Sequence, residues 1–189
     1  MAYEHEIVAM LAHPGYYEWK AHGIGFIKAY LDREKTVRLN IWHSRFIMPE
    51  ITAMHTHPWG LRSQIVAGKL TNYRWDRVEG DSGPVFNEGR INCERFCGIE
   101  GEPNRVYLAR RDAEVYTTGM TYSQQPHEIH HTEFEDGTMT VMTRTPAPEA
   151  GGIASVFWPV GTDYVDATST WAWSDFKVAI AAALEQLRK

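Results

Sequence analysis

An antiparallel all-β barrel or sandwich, with one helix at each end of the chain, is the fold class that this sequence predicts. Three observations predict it. Short runs rich in Val, Ile, Thr, Tyr, Phe and Trp follow one another, separated by Gly, Asp and Pro turns. Helical periodicity is confined to the first and last stretches, so strands do not alternate with helices as in a parallel α/β fold. The 189 residues, 43% apolar and 23% charged, suit one globular domain with its own core.

The elements follow in order. Residues 4–12, "EHEIVAMLA", can form a short amphipathic helix, and "HPGYYEWKAHGIG" after it is turn-rich. "FIKAYLD" and "TVRLNIWH" form a hairpin around the charged turn "REK". Period 2 places Val37, Leu39, Ile41 and His43 on one face. "RFIMPEITAMHTH" continues in extended style, and "LRSQIVAGKLTNYRW" gives two strands joined at Gly68. Residues 76–105 are rich in Gly, Pro, Asn and charge, and read as a long loop holding at most a short strand. "RVYLAR" and "AEVYTTGMTYS" are strands. "GTMTVMTRTP" is another, launched by Asp136-Gly137, and "IASVFWPV" follows it. Ser174 is a good N-cap for the last helix. Phe176, Ile180, Ala183, Leu184 and Leu187 form its apolar stripe. The expected organisation is a single domain over 1–189, with a barrel core at about 24–165 and a helix at about 174–188.

Composition narrows the function. The net charge is −5 with no Lys/Arg block, which argues against nucleic acid as a partner. No apolar run approaches the roughly 20 residues of a membrane span. The acidic start "MAYEHEIVAML" lacks a basic n-region, so it does not read as a signal peptide. Cys93 and Cys97 are too few for a disulfide framework, and their spacing suits neither a zinc knuckle nor a redox pair. Free thiols and a cytoplasmic location are the expectation.

Residues 127–131, "HEIHH", formally match the helical zinc-protease pattern H-E-x-x-H. The context rejects that reading. Pro126 precedes it, Asp136-Gly137 follows, and "HEIHHTEFED" has no apolar stripe. His131 is also the last of nine histidines, and Glu149 is the one acid at a plausible distance for a third ligand. On a strand, His127, Ile129 and His131 share one face and His130 the other.

The second cluster is "HTHPWGLRSQIVAGKL", residues 55–70. His55 and His57 are two apart, hence on one strand face and able to reach one metal ion. With Gly68 they fit the spacing H-x-H-x3-E-x6-G and resemble the first motif of the cupin superfamily. Leu61 stands at the Glu position. Residues 119–143 resemble the second motif, and the likeness spans roughly residues 36–145. It implies a small jelly-roll β-barrel with the metal inside. The cysteine-dioxygenase-like branch also lacks the Glu, and "HEIHHTEFEDGTMTVMTRTP" follows its pattern from His127 to Pro146. That register makes His127 the third ligand, with His131 and then His130 as alternatives.

The resemblance implies a divalent metal, foremost Fe(II), with Ni, Zn or Mn able to enter the same site. It also implies O₂ and a small anionic organic substrate as reaction partners, and a possible homodimer. Lys28 stands near the place where those enzymes carry an Arg for the substrate carboxylate, and Arg144 where they carry a catalytic Tyr. Both become candidate catalytic residues. Polar or charged residues occupy the cysteine position after the H-x-H motif, so a Cys-Tyr crosslink is not available and cysteine is a poor substrate. Arg62 and Gln64 are candidates to face a substrate, and Trp59 to shape the barrel mouth. A metal-dependent isomerase or lyase, a metal-free epimerase and a non-catalytic binding cupin are the competing readings.

Overall fold

The computed structural model describes residues 3–48, 53–80, 82–92, 99–145, 152–164 and 171–189. Cys93, Cys97 and Glu149 lie outside them, as does part of the extended run after Arg45.

The first helix is α1 (Glu4–Ala12), followed by a single 3-10 turn at Pro14–Tyr16. The strands are β1 (Lys20–His22), β2 (Ile24–Tyr30), β3 (Val37–Ile47), β4 (Gly60–Ala67), β5 (Lys69–Arg77) and β6 (Val85–Asn92). They continue with β7 (Ile99–Arg110), β8 (Glu114–Thr117), β9 (Thr121–Gln124), β10 (Ile129–Phe134), β11 (Met139–Thr145) and β12 (Ile153–Pro159). The chain closes with α2 (Trp173–Gln186). This is an all-β, jelly-roll-like fold of two antiparallel sheets with short terminal helices. One sheet runs β1-β2-β3-β11-β4-β9 and the other β10-β5-β7-β6-β12, with β8 also on β5.

The turns fall where glycine permits them. Gly68, at φ 88°, joins β4 to β5, and a Cβ there would collide with Thr138. Gly137, at φ 83°, turns the chain into β11 and lies against the backbone of Ala182 in α2.

Period 2 divides the first sheet into two faces. Val37, Leu39 and Ile41 of β3, with Ile27, Ala29, Met139 and Val141, pack outward against Ile7, Met10 and Leu11 of α1 and Ala179, Ile180 and Ala183 of α2. Burying a side chain such as Ile180 contributes about 1.5–3 kcal/mol. The opposite face holds Phe26, Trp42, Leu61, Ile65, Tyr122 and Met142, which meet Leu70 of the second sheet. That second set is the interior between the sheets.

Three expectations need correction. Residues 76–105 are not a long loop. β6 pairs with both β7 and β12, and its half-buried residues show no clean alternation, so neighbours rather than pattern impose the strand. α2 starts at Trp173, with Ala172 as N-cap; Asp175 Oδ2 accepts from the Ala172 N–H at 2.9 Å, and Ser174 does no capping. Leu187 lies beyond the helix and is exposed, whereas Ala179 joins the buried stripe.

Candidate metal centre

Residues 54–57 join the two edges of the second sheet. His55 exchanges both backbone hydrogen bonds with His130 of β10, each at 3.0 Å. On the other side it bridges to Val156 of β12. Thr56 N–H donates to Ser155 O, and Phe157 N–H donates to Met54 O. Met54 packs with Leu108, Ile129 and Phe157. His55 and His57 lie on the alternate positions. A residue pair that exchanges both backbone bonds keeps its side chains on the same face, so His130 turns toward that pair.

The three rings converge. Their centroids are 4.7 Å apart for His55–His57, 4.6 Å for His55–His130 and 5.2 Å for His57–His130. One nitrogen from each lies within 4.8 Å of the other two. His57 Nε2 and His130 Nε2 are 3.2 Å apart. Two imidazole nitrogens at roughly 2.0–2.1 Å from one tetrahedral ion would be separated by roughly 3.3–3.4 Å.

Second partners orient the rings. His55 Nδ1–H donates to Ala53 O at 2.8 Å, which leaves Nε2 as the lone-pair nitrogen. His130 Nδ1 lies 3.0 Å from Asn72 Oδ1; with that oxygen accepting, its Nε2 is likewise free to ligate. Burial holds His55 below the usual imidazole range and His57 and His130 well below it. His55 and His57 keep some exposure at the residue level, yet their rings are hemmed in by protein. Three neutral imidazoles with converging lone pairs can hold a divalent ion.

The structure brings His130, not His127, to the His55–His57 pair. His127 sits in a turn at φ 64°, exposed, and its N–H donates to His57 O at 2.8 Å. It supports His57 through its backbone, while its side chain lies in a surface groove with Arg74, Arg111 and Glu128. The strand begins at Ile129, so alternation does not run back to residue 127. His131 takes the opposite face, stacked on Tyr73 and accepting from Trp75 Nε1 at 2.9 Å. His130 therefore completes the group with His55 and His57.

Opposite these rings, the inward face of the first sheet follows a register. Lys28 pairs across to Asn40 and Thr140. The next row is Tyr30, Arg38, Met142, Ser63 and Tyr122. Arg144, Leu61 and Gln124 form the row after it. Among the residues named in those three rows, Lys28, Arg38 and Arg144 are cations and none is a carboxylate. Sequence reasoning selected Lys28 and Arg144 but missed Arg38, a buried residue that acts electrostatically on His55 and His57. The signal was present: "VRLNI" sets Arg38 and Asn40 at alternate positions among apolar residues. Burial pulls Arg38 down to about 10, so it stays charged near neutral pH.

Arg144 lies over Trp59, 3.9 Å from guanidinium carbon to ring centroid, and Trp59 stacks on His57. Trp59 thus links a cation to the histidine cluster. Arg62 and Gln64 alternate out of the interior, and Arg62 is exposed. Several buried polar atoms have no protein partner: Arg38 Nε, Arg144 Nε, Trp59 Nε1, His22 Nδ1 and both amide atoms of Gln124. Such atoms are rare in native interiors unless something else satisfies them.

Fold and site together define a jelly-roll-like β protein with a candidate three-histidine metal centre. No model of a known family matches the chain, and no curated protein matches it. Among solved structures it is similar to Drosophila melanogaster CENP-C bound to CAL1, at 9% identity and a TM-score of 0.27. That alignment covers 75% of this chain and 98% of the other, and the likeness is too slight to carry an argument. No helix among the described residues is long and apolar enough to cross a membrane.

Proposed function

We propose that this protein is a metal-dependent enzyme of the cupin type, a dioxygenase that uses Fe(II) and O₂ on a small anionic organic substrate. The observation that carries this reading is the convergence of His55, His57 and His130 as neutral ligands facing a wall of cations. A ferrous ion there would supply Lewis acidity and one-electron chemistry toward O₂.

The chain's own residues do the rest. Three neutral ligands leave the full charge of a dication uncancelled, so the centre favours an anionic, chelating molecule. Lys28 and Arg144 face the interior from β2 and β11 and hold the anionic end. Trp59, Leu61 and Met142 provide apolar walls that limit water, which strengthens each charged contact. Asn72 and the Ala53 carbonyl fix the rings, so the donor set does not reorganise on binding.

The test is O₂ uptake by iron-loaded protein across thiol carboxylates, diketones and catechol-like acids, with iron measured on the same sample. Uptake with one class, at one iron per chain, supports the reading. Stoichiometric metal without uptake, but with interconversion of aldose and ketose, would transfer the site to an isomerase.

A further inference from the structure

We infer that Arg38 is a specificity-determining anchor for one carboxylate of a small organic dianion, with Arg144 and Gln124 completing the clamp. The inference rests on the proposed function for the other end of that molecule, which the three-histidine centre would hold.

Arg38 is the second residue of β3, at 8% exposure. Its register neighbours are Tyr30 and Met142, and the Phe26 ring lies 5.4 Å from its guanidinium carbon. Tyr30 offers it a phenolic oxygen as an acceptor. Among the described residues no carboxylate forms an ion pair with Arg38 or Arg144. A guanidinium has five donors, and Arg38 Nε has no acceptor. Buried charges in native proteins are normally paired.

A second cation makes the arrangement more costly. Arg144 is two residues from Met142, so it lies diagonal to Arg38 on the same face, and the two repel. Gln124 adds a buried amide, 4% exposed, with neither oxygen nor nitrogen satisfied. Interior packing alone gives no reason to keep two guanidiniums without a carboxylate and an idle amide together. A carboxylate between them would accept from both arginines in the fork geometry that Arg favours. It would accept from the Gln124 NH₂ as well. Arg62, exposed on the other face of β4, serves as the control.

The experiment is calorimetric titration of malonate, succinate and glutarate into zinc-loaded protein. It compares wild type, Arg38→Gln, Arg38→Met and Arg62→Gln, with zinc quantified in each. The expected result is that at least one acid binds wild type and Arg62→Gln within twofold of each other. Both Arg38 variants should bind it at least tenfold more weakly while keeping wild-type zinc content. Melting separates a clamp from a structural arginine. Without acid, Arg38→Met should melt at or above wild type, because an unpaired buried charge has gone. The acid should then raise the wild-type melting temperature and leave that of the variant unchanged. Arg38 variants that bind the acid like wild type overturn the inference. So does an Arg38→Met that fails to fold or melts well below wild type, or a wild type that binds none of the three acids. Wild type that takes up no zinc yet binds acid through Arg38 would sink the metal reading and leave the clamp standing.

Discussion

The two walls of the interior use burial in opposite ways. On the wall formed by residues 54–57 and β10, burial keeps imidazoles neutral, so their lone pairs stay available. On the facing wall, β3 buries the guanidinium of Arg38, which is too basic to lose its proton there, and β11 sets the half-buried Arg144 diagonal to it. The walls also differ in construction. The cation wall is a regular ladder, in which each residue faces inward by alternation. The histidine wall is a junction, where one short segment is tied to two strands by isolated bridges. One space can therefore present neutral donors and uncompensated charge because each comes from a different kind of backbone.

The largest expected effects divide the histidines. His57→Ala or His130→Ala should abolish stoichiometric metal binding, whereas His127→Ala and His131→Ala should leave it intact. Elemental analysis after dialysis reads this directly, and loss of metal in His127→Ala alone would return the third ligand to the turn. Next comes the support behind His130. Asn72→Leu removes the acceptor at its Nδ1 and should weaken metal affinity about 10- to 100-fold, read by chelator competition.

On the opposite wall, Lys28→Met and Arg144→Met should leave metal content unchanged. Each should raise KM more than it lowers kcat, by about 1.5 kcal/mol or more for a charged hydrogen bond removed. A change in kcat with KM fixed would place either residue in the chemical step instead.

Acid provides a smaller contrast. The unfolded chain takes up protons on its histidines near the ordinary value of about 6.5. Folded His57 and His130 do so only at lower pH. The unfolded state thus binds more protons in that window, and metal-free stability should fall as pH drops from about 6.5. Arg38 contributes nothing there, since it titrates near 10. Denaturant melts at pH 7.5 and 5.5 measure the difference, and equal midpoints would contradict it. Smallest in its effect on the site is a change outside both walls. Ala183→Leu crowds α2 against the outer face and should cost about 1–3 kcal/mol of stability without altering metal stoichiometry.

The sequence displayed these regions unequally, for physical reasons. His55 and His57 were legible because a spacing of two on a strand means one face. The hairpin, the turns at Gly68 and Gly137 and both helices were legible from local chemistry. The choice among His127, His130 and His131 was not, because it depends on where a strand begins. That point is set by the left-handed turn at His127, whose N–H is taken by the carbonyl of His57, 70 residues earlier. β6 was hidden for a similar reason, since its half-buried residues take their conformation from β7 and β12. Arg38 shows that an alternation can be read for its apolar half while the meaning of the polar half goes unused.

The bridges at His55 also bear on when the site comes into being. His55 must find partners at 130 and 156, contacts that close long loops of chain. Such pairings form late, after local hairpins such as β2–β3 have supplied a scaffold. During synthesis the donor set cannot be complete until the chain beyond residue 130 has emerged, and its bracing waits for β12. The earlier histidines, His55 and His57, are thus made well before their pocket exists. A metal ion held by all three rings would be acquired by a chain that has already folded, so its loading would report on the finished architecture rather than help to start it.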